Sequence, residues 1–458
     1  MQLILNKMKT KIITLLTGSA FMIACLSAGI VSAQSVSTGL SNAPGGVANL
    51  RPYDQSGINV FDAPKDTNAV FDGLKLQFGA GFTQSFQGLK HENVSGGLYK
   101  ITPGFNTANA NLFMDVQLAD GIRLNLTSYL SSRHHNETWV KGGYIQFDKL
   151  PFKGQVWEDI MKLTTIKVGH MEINYGDQHF RRSDGGHTLY NPFIENYILD
   201  GFSTEIGGEV LVRKNALFGM VGVSNGMIKG NIDELIPTAQ DANTRKSPAF
   251  YFKGGVDKQL SDALRVRFAA SYYTNKSSGG QTLYAGDRTG SNYFMTLEKL
   301  GSTASGNFTS GRLNPGFSKK VDAVQLNGFV KLQGLELFGT YEAAQGRTKN
   351  ETTDRNASQY AMDAVYRFGK AENLFLGVRY NAVQVRLANV AAVGPVPAIV
   401  YTNDMKIDRL AFGAGWFLTK NVLLKGEYVK QQYKDLPAGD FRNGGQFDGY
   451  VVQAVVGF

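Results

Sequence analysis

The chain has 458 residues, of which 43% are hydrophobic and 19% charged, with 53 Gly, 29 Phe, 20 Tyr and a formal net charge of +9. A composition this polar excludes a helical membrane bundle, and this much Gly and aromatic is foreign to an ordinary secreted enzyme; alternating strands suit it. The single cysteine excludes a disulfide framework, and Lys and Arg spread singly, without a binding motif, exclude nucleic acid as a partner.

At the N-terminal end Lys7, Lys9 and Lys11 precede an uncharged, mostly apolar stretch from Ile12 to Ile30, and Val31-Ser32-Ala33 offers small residues for cleavage before Gln34. This predicts a secretory signal over residues 1–33. Cys25 lies inside it, in a weak version of the lipidation box, so the exported chain is expected to carry no thiol. Stability must then come from backbone pairing and burial, which a barrel in lipid achieves by closing every strand edge. Residues 34–72 carry Pro44, Gly45, Gly46, Pro52, Gly57 and Pro64 with little periodicity and read as a periplasmic leader or a small plug.

From Gly73 to Phe458 the pattern has period two. The clearest hairpin runs from Asn111 to Leu118 and from Ile122 to Leu130 around Ala119-Asp120-Gly121. Leu112, Met114, Val116 and Leu118 share one face; Asn111, Asp115 and Gln117 share the other. Short turns recur at Lys214-Asn215-Ala216, Leu260 to Ala263, Gln333-Gly334, Gly369 to Asn373 and Thr419-Lys420-Asn421, with a helical turn expected around Trp157 to Lys162. Between them lie long connections, about Gly88 to Ala108, Gly176 to Gly201, Asn225 to Ser247, Asn275 to Lys320, Gly346 to Ser358 and Leu387 to Met405. Beyond the signal no stretch is long and apolar enough for a spanning helix; the nearest, Leu387 to Val400, is broken by Pro395 and Pro397. The fold class is therefore all-β: a transmembrane antiparallel barrel of about 16 strands, or 18 if Asn292 to Leu300 forms a further pair, with short periplasmic turns and long outside loops.

Aromatic spacing agrees. Trp139 and Phe147, Tyr360 and Phe368, and Tyr450 and Phe458 are each eight residues apart on one face, which places rings at both membrane interfaces. The last strand puts Tyr450, Val452, Ala454, Val456 and Phe458 on one face. This end resembles the terminal signal by which Gram-negative outer-membrane proteins are recognised for barrel insertion; the resemblance implies that Tyr450, Val456 and Phe458 carry it and that the barrel assembly machinery is a partner.

The third outside loop, Asp177 to Asp200, is long and charged, with His179, Arg181, Arg182 and His187 set against Asp184 and Glu195. Opposed charges at a constriction set a transverse field, and a basic surplus favours anions. General porins fold this loop into the lumen, and its place and length here resemble theirs. More specifically, Gly169-His-Met-Glu-Ile-Asn-Tyr-Gly176 leading into Phe180-Arg-Arg-Ser-Asp184 and Asn191-Pro-Phe193 resembles the phosphate-selective porin family of Gram-negative bacteria. The resemblance implies a porin; the predicted lumen has no dense lysine ladder that would carry over a phosphate site. Alternation turns Arg123, Arg213, Lys253, Arg265, Arg267, Arg379 and Arg409 inward, against a smaller set of acids.

Other chemistries fare less well. His170, Glu172, Asp177, His179 and His187 do not match a metal-binding spacing, and Ser183 beside two histidines lacks the nucleophile elbow of a hydrolase. Gly79, Gly81, Gly413 and Gly415 sit within strands, where Gly relieves crowding. No cofactor, metal or catalytic residue is expected. The sequence points to an outer-membrane diffusion channel for small hydrophilic solutes and ions with a weak anion preference. The alternatives are a channel selective for phosphate, an oligosaccharide or a hydrophobic compound, or a barrel hydrolase. Expected partners are outer-membrane lipid and lipopolysaccharide, small solutes or anions, and further copies in a homotrimer.

Overall fold

The computed structural model describes residues 47–62, 64–131, 138–228, 234–281 and 283–458. The expected signal, residues 1–33, and the first part of the expected leader lie outside these.

In lipid every backbone donor and acceptor must be satisfied by the chain itself, so period-two segments joined by tight turns have one closed solution. Among the described residues sixteen long strands pair antiparallel: β1 (Lys75–Glu92), β2 (Asn109–Ala119), β3 (Ile122–Leu130), β4 (Trp139–Phe147), β5 (Thr164–Glu172), β6 (Thr204–Lys214), β7 (Leu217–Ser224) and β8 (Ala249–Ser261) form the first half. The second half is β9 (Leu264–Asn275), β10 (Lys320–Leu332), β11 (Leu335–Arg347), β12 (Arg355–Phe368), β13 (Leu374–Val385), β14 (Met405–Thr419), β15 (Val422–Lys434) and β16 (Gln446–Gly457). Each strand pairs with the next, and β1 pairs with β16 from Gly81 opposite Gly457 to Glu92 opposite Gln446, which closes the ring. A two-residue extension, Gly104–Phe105, also pairs with β1. The segment Asn292 to Leu300 stays in a loop, bridged at Lys299 to Leu98 and bonded to the wall at Gln87, His91, Glu427 and Gln453.

The two faces separate as the alternation requires. Phe78, Leu112, Val168, Phe252, Met362, Phe412 and Trp416 point outward and are exposed, while Asn111, Asp115, Gln325, Glu342, Asp363 and Gln431 point inward and are buried. Tyr360, Phe368, Tyr450 and Phe458 lie on the outer face. One short helix, α1 (Gln155–Leu163), fills the β4–β5 connection, extending the expected helical turn by a few residues. No helix among the described residues is long and apolar enough to cross a membrane.

The interior is not empty. Residues 47–62 and 64–66 form a strap across the periplasmic end of the lumen, including a single 3-10 turn at Gln55–Gly57. It touches the wall in turn at Gln77 of β1, Asp115 of β2, the β14–β15 turn through Lys420, Glu336 of β11, Arg267 of β9 and Asp148 after β4. The third outside loop, residues 173–203, folds inward, and the fifth, residues 276–319, folds down onto it: the Leu313 amide donates to the Ile198 carbonyl at 2.7 Å, and the Phe202 amide to that of Leu283 at 3.0 Å.

Candidate functional site: the lumen

The third loop passes close against the wall. A Cβ on Gly186 would lie 2.5 Å from the Ala110 Cα and 2.6 Å from the Gly81 carbonyl oxygen, and one on Gly81 would strike the His187 side chain at 2.8 Å. Two glycines back to back let loop and strand touch, which gives the mid-strand Gly81 its reason.

The loop backbone is tied down by wall side chains, since inside a barrel its polar groups have no sheet to join. The Lys425 ammonium donates to the carbonyls of Thr188, Asn191 and Phe193 at 2.7 to 2.9 Å. Arg409 donates to the Asn196 carbonyl at 2.6 Å and to Gly311 of the fifth loop at 2.7 Å. Asn381 and Glu427 accept the amides of Ile198 and Ile194, at 2.7 and 2.9 Å. Along β10 to β15 the lumen is therefore packed with loop.

On the opposite side, between the loop and β3 to β6, a cavity of about 230 Å³ remains. From the wall it is lined by Asn125, Lys141, Tyr144, Lys167, His170, Glu172 and Glu209; from the third loop by His179, Arg182, Asp184 and His187; and from the strap by Arg51, Tyr53 and Asp62. Lys141 bridges Asp184 and, at 3.3 Å, Asp287 of the fifth loop. Arg182 holds Asp200 at 2.6 Å and Asp287 at 3.0 Å, and its guanidinium lies 3.7 Å over the Phe202 ring. Burial alone would raise the Asp287 carboxyl, but the Lys141 and Arg182 cations outweigh it and hold it below the usual carboxylate range. Lys167 sits 3.7 Å from Glu209 and over the Tyr144 ring.

Arg51 differs from these cations. It donates to the carbonyls of Gly57 and Phe180 at 2.9 and 2.8 Å and lies 3.6 Å over the Tyr190 ring, and among the described residues no carboxylate comes within ion-pair distance.

Of the six residues expected at a constriction, His179, Arg182, Asp184 and His187 line this cavity. Arg181 and Glu195 do not. Arg181 turns the other way, to Asn59 and to Glu336 at 3.4 Å, between the rings of Phe329 and Phe338. Glu195 accepts from Ser291 at 2.8 Å and faces Arg312 at 3.5 Å, deep between the two loops.

The lumen cations all point inward, and most meet acids. Arg123 pairs with Asp148, Arg213 with Asp62 at 3.6 Å, Lys253 with Asp177 at 2.6 Å, and Arg265 with Asp257 at 2.7 Å. Arg267 holds Asp177, Asp62 and Asp257, Arg379 pairs with Asp363 at 2.7 Å, and Arg409 rests on Gln431 and loop carbonyls. Ser183 Oγ donates to the Ile194 carbonyl at 2.9 Å and accepts from Asn191, while His179 pairs with Glu172 and Asn174, so serine and histidine are engaged apart.

Lys141 and Lys167 share the inward face with Arg123 and Arg213 but were not among the residues expected there; alternation through β5 finds Lys167, whereas Lys141 sits where the β3–β4 register shifts, between Val140 and Gly142, and alternation misses it. For Arg51 and Asp287, in segments without periodicity, no sequence signal exists.

A closed barrel with an apolar belt outside, a charged interior and a loop folded within defines an outer-membrane protein with the porin fold. Neither a family model nor a curated protein matches this chain. Among solved structures it is similar to an anion-selective porin from Comamonas acidovorans, with a TM-score of 0.50 and 9% identity over 84% of this chain and 100% of that one. It is also similar to the outer-membrane-expressed OmpT of Vibrio cholerae (TM-score 0.47, 10% identity, 85% of this chain and 99% of that). A third is the outer membrane channel DcaP of Acinetobacter baumannii (0.46, 11%, 84% and 98%). Identities this low speak for the fold alone.

Proposed function

We propose that this chain is a passive diffusion channel for small hydrophilic solutes and ions, with a weak anion preference, whose route runs between the third loop and β3 to β6 and is narrowed at the periplasmic end by the strap of residues 47–66. The cavity on that side carries the reading: it is lined by charges of both signs and bounded by loop, wall and strap. Four cations and four carboxylates line it, and Arg51, which rests on carbonyls and a ring with no carboxylate of the described residues at ion-pair distance, is the charge that supports the anion preference. A modest imbalance of this kind biases permeation and does not make it strict.

The strap is suited to narrowing the mouth without being part of the wall, because the ring of sixteen strands closes without it. Planar-bilayer recording tests both parts. The full chain should give ohmic, energy-independent conductance with a reversal potential displaced toward anions in a salt gradient. Deletion of residues 47–66 should raise the conductance severalfold. A silent full chain together with a silent deletion variant rules out the channel; equal conductance in the two rules out the strap as its constriction.

A further inference from the structure

Helix α1 lies in the β4–β5 connection, against the ends of β5 and β6, and is amphipathic. Val156, Ile160 and Leu163 recur at i, i+4 and i+7, flanked by Trp157 and Met161, while Gln155, Glu158, Asp159 and Lys162 share the other side. Met161 is buried at the feet of β5 and β6, which the helix packs against. The rest of the apolar side is not covered: Val156 is 69% exposed, Ile160 46% and Trp157 44%. Phe152, in the approach to the helix, is exposed too, its ring 5.7 Å from that of Trp157. So much apolar surface on nine residues is a contact surface, not an ordinary solvent face.

Its position says what covers it. Leu163 runs directly into Thr164, the first residue of β5, whose partner across the sheet is Val212. Val212, Val210 and Val168 are exposed on the outer face of the barrel, in the belt that faces acyl chains. The apolar side of α1 therefore continues that belt past the strand ends on the periplasmic side. The polar side is internally satisfied: Asp159 accepts from Gln155 at 2.9 Å and from Lys162 at 2.7 Å. With two acids and one lysine the helix has no cationic surplus, so attraction to anionic headgroups is not what holds it.

We propose that α1 lies in the periplasmic leaflet of the outer membrane, its apolar side sunk into the headgroup and acyl boundary of zwitterionic phospholipid, anchoring the β4–β5 connection to the bilayer. Trp157 then sits at the depth that indole favours, with an apolar body and a polar edge.

The chain has three tryptophans, so Trp139→Phe with Trp416→Phe leaves Trp157 as the sole reporter. Reconstituted into phosphatidylcholine brominated near the headgroup end of its acyl chains, this variant should lose about half its emission relative to unbrominated lipid, while aqueous iodide quenches it weakly. Adding Ile160→Asp and Leu163→Asp should abolish the bromolipid effect and expose Trp157 to iodide, with the barrel still heat-modifiable. Strong iodide quenching of the starting variant would place the helix in periplasmic water and overturn the proposal. Protection from both quenchers would place it against a second copy of the chain and overturn the proposal equally, as would bromolipid quenching that survives the two aspartates.

Discussion

The third loop and the N-terminal strap both lie inside the barrel, yet the wall depends on them to different degrees. The buried charged groups of the wall that the strap engages all keep another partner. Asp115 retains Asn125, Glu336 retains Arg367 at 2.8 Å, Arg267 retains Asp177 and Asp257, and Asp148 retains Arg123 and Thr165. The loop is different: the bonds found for Lys425 all go to its carbonyls, and the guanidinium of Arg409 rests on it and on the fifth loop. Removing the loop would strand buried charge, which is costly; removing the strap leaves Asp115, Glu336, Arg267 and Asp148 each with a wall or loop partner. One insert is built into the wall and the other is laid against it.

The largest expected effect falls outside both inserts and marks the limit of the comparison. Deleting Phe458, or replacing it with Asp, should abolish assembly, because Phe458 exchanges two backbone bonds with Ala80 at the closing seam and puts its ring on the outer face. Heat-modifiable barrel at normal amounts would refute this.

Within the comparison, Lys425→Met should be the most damaging change. Three buried loop carbonyls lose their donor, at a cost of about 3 kcal/mol or more in urea unfolding of the refolded barrel. Asp62→Asn, on the strap, should cost only about 1 kcal/mol in the same measurement, since Arg267 keeps two carboxylates. Equal costs would erase the distinction between the inserts.

The smallest effect separates two neighbours on the loop. Arg182→Gln should move the reversal potential toward cations, roughly halving the anion-to-cation permeability ratio, because Arg182 lines the cavity. Arg181→Gln should leave that ratio unchanged, since Arg181 faces Glu336 and Asn59, although the loop loses an anchor. The same replacements at Arg265 and Arg267 should do less to selectivity than Arg182→Gln. A reversal potential that ignores Arg182 would remove the loop from the ion path.

The wall was legible in the sequence because membrane-spanning strands write their environment into every second residue. Alternation placed the turns after Ala119 and Lys214 and put Tyr450 and Phe458 on one outer face, while for Asn292 to Leu300 it left sixteen strands and eighteen both open. The inserts carry no such code. Their conformation is set by contacts more than a hundred positions away, such as Asn59 with Glu336 and Arg182 with Asp287. Arg181 ends a 3-10 turn over Gln178–Arg181 and Arg182 follows in extended backbone, so the two neighbours turn to different partners, Glu336 and Asp287, a split that no period in the sequence announces.

The pairing of β1 with β16 also bears on how the molecule forms. Even its least separated partners, Glu92 and Gln446, stand 354 positions apart in the chain, and no local contact can stand in for it. Contact order this high makes closure slow, although the entropy of closing so long a loop grows only by roughly 0.6 kcal/mol per doubling. Until the final hairpin arrives, two seam strands present unpaired edges, the arrangement most prone to sticking to other chains. A nick in a long outside loop leaves both seam strands intact and the ring mendable; a nick in either seam strand leaves an open sheet.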